Sequence, residues 1–173
     1  MAMRNLFIVA GVAAMLAAGG CGDQPAGVTP AGAPTPVQAV DEVMLITSPA
    51  AISADGTARP DSFTAGVWFF SNSRGAKLPP TLVRGRVEIL MYDGALSANA
   101  LRTATPLHVW EFPDDQLPQY VGKHRYYGWG YNFLLSWGND VPTQDRITVI
   151  VRFTGGGRTI ESKPSTVTVR DLK

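Results

Sequence analysis

Tyr127-Gly128-Trp129-Gly130-Tyr131-Asn132-Phe133-Leu134-Leu135-Ser136-Trp137-Gly138 sets large apolar or aromatic residues at every odd position and mostly small or polar ones at the even positions. Side chains alternate faces along an extended strand, so this pattern predicts one long β-strand with a heavy face and a light face. The heavy face, Tyr127, Trp129, Tyr131, Phe133, Leu135 and Trp137, needs a second layer to cover it. Sheet packed on sheet is the architecture that supplies such a layer.

Working outward, the same period of two recurs in Val83 to Tyr92 and in Arg146 to Phe153. In the first, Val83, Gly85, Val87, Ile89 and Met91 predict a core face, with Leu90 and Tyr92 on the wet side. In the second, Ile147, Val149, Val151 and Phe153 point in. Further strands are expected at Glu42–Thr47, Phe63–Ser71, Leu107–Phe112, Thr159–Ser162 and Ser165–Val169, bounded by turn residues such as Asp55-Gly56, Asp93-Gly94 and Thr154-Gly155-Gly156-Gly157-Arg158. Pro164 interrupts the final return, which places that strand on the rim of a sheet. A capped helical turn is expected at Ser97 to Leu101, and one turn from Pro113 to Leu117 ended by Pro118. Seven or eight short antiparallel strands without βα alternation predict an all-β, immunoglobulin or fibronectin-III-like sandwich over residues 41–173.

The aromatic strand admits three readings. Its heavy face can be core, which removes apolar surface from water at roughly 25 cal/mol per Å². Alternatively Tyr126, Tyr127 and Trp129 can form a platform on which sugar rings stack. The glycines between them also let a neighbouring strand or large side chain pack closely over Gly128 and Gly130.

Charge and composition exclude several classes. The chain of 173 residues carries 15 basic and 14 acidic residues, and loss of the first twenty, which include Arg4, leaves 14 of each. A neutral chain without a Lys/Arg cluster offers no footprint for nucleic acid and no polybasic patch for a lipid surface, so neither is expected as an electrostatic partner. His108 and His124 are the only histidines, and neither has a second ligand at metal-binding spacing, so no metal and no cofactor is expected. Asp114 and Asp115 are sequence neighbours rather than a converging pair. Without an assembled nucleophile, base and oxyanion donor, a non-enzymatic role is expected.

At the amino terminus, Arg4 precedes an apolar run from Leu6 to Ala18, then Gly19, Gly20 and the single cysteine, Cys21. The run is too short to span a bilayer comfortably and has the layout of a secretory signal. These residues resemble the signal and lipobox of bacterial lipoproteins, with Ala18 at the aliphatic position where the family most often has Leu. The resemblance covers only this segment. It implies cleavage before Cys21, acyl chains such as palmitate on Cys21, and attachment to a membrane through that lipid. Gly22 follows Cys21, with Asp23 one further on; in a host with two membranes this implies the periplasmic face of the outer membrane. Gly22 to about Val40, with Pro25, Pro30, Pro34 and Pro36, is then expected to be an unpacked tether reaching up to about 60 Å. The resulting expectation is a cell-envelope lipoprotein, either an accessory subunit for another envelope protein or a polysaccharide-binding module.

Overall fold

The computed structural model describes residues 29–54, 56, 60–73, 76–77 and 79–169. In chain order these form β1 (Glu42–Thr47), β2 (Ser62–Phe70), the two-residue strands β3 (Asn72–Ser73) and β4 (Ala76–Lys77), β5 (Arg86–Asp93) and the short helix α1 (Ala98–Leu101). They continue with β6 (His108–Phe112), a 3-10 turn (Leu117–Tyr120), β7 (Val121–His124), β8 (Gly128–Ser136), β9 (Arg146–Gly155), β10 (Arg158–Glu161) and β11 (Ser165–Thr168).

Two antiparallel sheets carry the fold. One has the order β1-β2-β8-β7; the other runs β10-β9-β5-β6, with β11 also paired to β9. Phe63, Val67 and Phe69 of β2 and Tyr131, Phe133 and Leu135 of β8 face Val87, Ile89 and Met91 of β5 and the buried odd positions of β9. The all-β, two-sheet expectation holds.

Three local outcomes differ from the sequence pattern. Leu90, Tyr92 and Ile150 are buried on the outer side of β5 and β9, beneath Leu96, Leu101 and Ala104. The excursion around α1 covers apolar even positions that would otherwise be wet, and Ser97 caps it by accepting from the Ala100 N–H at 3.3 Å. Pro118 is the second residue of the 3-10 turn Leu117–Tyr120 rather than the end of one, because the N–H it lacks has no partner within the first turn of a helix. The packed body also begins before residue 41: Val40 is buried, Val37 donates to the Leu82 carbonyl at 2.9 Å, and Arg84 donates to that of Val37 at 2.8 Å. Composition alone assigned Ala33 to Val40 to the tether, yet small and β-branched residues there find free backbone partners along Leu82 to Arg84.

Pro164 does mark a rim. Glu161 pairs with Arg152 and Ser165 with Val149, so three residues of the edge oppose two of β9. At this bulge the Ser162 hydroxyl accepts from the Val151 N–H at 3.0 Å, replacing the ladder acceptor that the displaced chain no longer offers. At the far end of the sandwich, Asp93 ties down the β8–β9 loop. Burial pushes its carboxyl pKa up, but donors from Thr143, Gln144 and Gly94 outweigh that and hold it below the usual value.

Candidate functional site

The outer face of the β1-β2-β8-β7 sheet carries an aromatic cluster built around Trp68, His124 and Tyr127. Because Phe63, Ala65, Val67 and Phe69 point inward, Thr64, Gly66 and Trp68 point outward. Trp68 is nonetheless only 4% exposed. Its indole lies across two glycines: a Cβ on Gly66 would fall 2.4 Å from Cη2, and one on Gly130 would fall 2.6 Å from Cδ1. Any side chain at either position would lift the ring from the sheet. Among the described residues its Nε1 has no hydrogen-bond partner.

The β7–β8 turn closes over this ring. The His124 Nδ1 accepts from the Tyr126 and Tyr127 N–H groups at 3.2 and 3.4 Å, so in this arrangement Nδ1 is the unprotonated nitrogen. Tyr127 stacks on His124 at 4.9 Å and 27°, and its centroid lies 5.0 Å from that of Trp68. Gly128 makes this possible. Its φ of +76° is a left-handed conformation that few other residues adopt, and it breaks the alternation of β8 at its first residue. Tyr127 therefore leaves the heavy face and joins Trp68 outside. Tyr126 projects furthest, 79% exposed, with the Arg125 guanidinium carbon 5.5 Å from its ring centre.

The three residues expected as a stacking platform are thus divided. Tyr126 and Tyr127 lie together on the turn, whereas Trp129 stays half-buried on the core side, with the Lys123 ammonium 5.6 Å from its ring centre. Cys21, the expected lipidation site, lies outside the described residues. So does the tether from Gly22 to residue 28. Trp68 and His124 escaped the sequence pattern. Trp68-Phe69-Phe70 is a run of consecutive aromatics with no visible period, and only Gly66, two residues earlier on the same face, signals a ring lying over it.

Beside Trp68 runs a shallow groove of about 550 Å³, floored by Gly66 and flanked by Ile46, Thr64, Asn132 and Leu134. Beneath the sheet, Tyr131 fixes the incoming chain from the inside. Its hydroxyl accepts from the Val83 N–H at 2.9 Å, and burial pushes its phenol pKa up to about 12 despite that bond.

The two histidines lie at opposite ends of the sandwich. His108, at the start of β6, meets Asp140 of the β8–β9 loop through Nδ1 at 2.5 Å and packs against Trp110. Asp114 accepts from the Gly85 N–H at 3.0 Å, a loop-fixing contact. Among the described residues no three His, Cys, Asp or Glu side chains converge on a metal-sized space, and no helix is long and apolar enough to cross a membrane. No protein-family model, curated protein or solved structure matches this chain.

Proposed function

We propose that the chain is a cell-envelope lipoprotein, acylated on Cys21, whose β-sandwich acts without catalysis as an accessory or protein-interaction module. The observation that carries this is the amino-terminal layout, in which a basic start, an apolar run and two glycines lead directly to the only cysteine. Acyl chains add about 0.8 kcal/mol per buried methylene, so two or three of them hold such a module at a bilayer without a spanning helix.

Within that proposal the sandwich is of immunoglobulin type. Supporting this is the order β1-β2-β8-β7 over β6-β5-β9-β10, which corresponds strand for strand to A-B-E-D over C′-C-F-G. The buried aromatic rings take the packing role of the inter-sheet disulfide that a single cysteine excludes.

Intact-mass spectrometry of the membrane-extracted protein tests the anchor. The expected product begins at Cys21 and carries the mass of acyl chains, and Cys21→Ser releases the protein from membranes. A mature chain with an unmodified Cys21 would refute it. The exposed pair Tyr126 and Tyr127 favours a second reading, polysaccharide binding, under which co-sedimentation with insoluble envelope glycan falls in Tyr126→Ala and Tyr127→Ala variants.

A further inference from the structure

We propose that the β7–β8 turn, Lys123 to Tyr127, is a membrane-facing contact that rests on anionic lipid headgroups and sets the orientation of the sandwich on the bilayer. This inference rests on the lipid anchor at Cys21.

Strand register places the turn at the end where the tether arrives. Glu42 of β1 pairs with Phe70 of β2, and the β2–β8 register, continued past Val67 and Tyr131, sets Phe70 level with Gly128. The incoming chain runs alongside, with Val37 bridged to Val83, and Pro80 sits 3.6 Å from where a Cβ on Gly128 would be. Ala33 already packs against the core. From Cys21 to Ala33 the chain has twelve steps, at most about 40 Å when fully extended. The tether thus leaves from this end of the domain, and the His108–Asp140 end is a sandwich length further along.

The chemistry of the turn fits a headgroup layer. No acidic residue occurs between Gln116 and Asn139. Lys123, Arg125 and Tyr126 are exposed, and among the described residues neither cation has a carboxylate partner. Each instead lies by an aromatic ring, Lys123 by Trp129 and Arg125 by Tyr126. Each basic residue held at an anionic surface contributes about 1 kcal/mol, and tyrosine is enriched at headgroup level, so two cations and Tyr126 orient a domain that is already anchored rather than bind it unaided. Of the carboxylates at this end, Asp41 meets Arg158 and the Asn72 N–H, Asp114 accepts from the Gly85 N–H in the segment after β6, and Glu42 lies on β1, separated from β8 by β2. The stack of Tyr127, His124 and Trp68 fixes the turn before it meets the bilayer, so contact orders little further structure.

The test uses the full acylated protein, reconstituted into vesicles containing phosphatidylglycerol or phosphatidylcholine alone. Tyr126→Trp places a reporter at the tip, read by quenching from acyl chains brominated near the headgroup. In anionic vesicles quenching is expected to exceed that of the unsubstituted protein by about twofold or more, and Lys123→Glu with Arg125→Glu is expected to remove the excess. Circular dichroism confirms that both variants stay folded. No excess quenching in a protein whose Cys21 acylation is verified by mass overturns the contact and leaves the lipoprotein reading intact. Equal quenching in neutral vesicles overturns the anionic specificity, and protection of the reporter by soluble glycan would assign the turn to polysaccharide. An unmodified Cys21 would defeat both.

Discussion

Two aromatic clusters sit on opposite sides of the same pair of strands. Inside, Phe133 lies 4.5 Å from Phe112 of the second sheet and 4.7 Å from Tyr120 of the 3-10 turn, and Phe69 lies 5.8 Å from Tyr131 between the two sheets. Outside, Trp68, His124 and Tyr127 pack at similar separations, with the β7–β8 turn lying over the indole. Trp68 and Phe133 are nearly equally buried, at 4% and 2%. What differs is the covering agent: another sheet in one case, bare glycine backbone and a turn in the other. Ring composition does not determine burial; the neighbour that closes over the ring does.

That comparison can be broken from either side. The largest effect is expected for Phe133→Ala, which leaves a cavity between two sheets that cannot collapse and lowers stability by about 3–5 kcal/mol in denaturant unfolding. Gly130→Ala attacks the outer cluster instead. Its methyl would lie 2.7 Å from the Val67 carbonyl as well as against the indole, and a loss of about 1–3 kcal/mol is expected. The accompanying sign is a red shift and greater iodide quenching of the fluorescence as Trp68 is pushed outward.

Tyr131→Phe sharpens the inner side. It leaves the buried Val83 N–H without its acceptor, lowering stability by about 1–3 kcal/mol near neutral pH. The phenol is raised in the fold to about 12 from about 10 when unfolded. The neutral form's stabilisation is therefore complete below pH about 10 and lost as pH rises towards 12. Thermal unfolding of wild type and variant should converge across that window; a constant gap would show that the phenol does not titrate with unfolding. The smallest effect belongs to Tyr126→Ala, expected to stay within about 0.5 kcal/mol because its ring is largely solvated.

Much of this arrangement is legible in the chain. Strict alternation in Arg146 to Phe153 fixes the core face of β9, since a slip of one residue would expose Ile147, Val149, Val151 and Phe153 together. Pro164 marks the rim because a residue without an N–H cannot sit between two ladders. Ser97 identifies its own helical turn. The four-residue β7 was not legible, since Val121-Gly122-Lys123-His124 has neither length nor period and becomes a strand only by pairing with β8. Nor was the packing of Val37, whose partners Leu82 to Arg84 lie more than forty positions away.

By itself the sequence determined two packed sheets, the core faces of the regular strands and the edge break at Pro164. These follow from local period, proline chemistry and hydrophobicity. Only tertiary structure decided that the heavy face stops at Trp129 and that Tyr127 turns outward. The φ of Gly128 belongs to a turn in which His124 pairs with Gly128 and accepts from the Tyr126 and Tyr127 N–H groups, and a glycine takes either sign with little penalty, so its identity alone carries no such information.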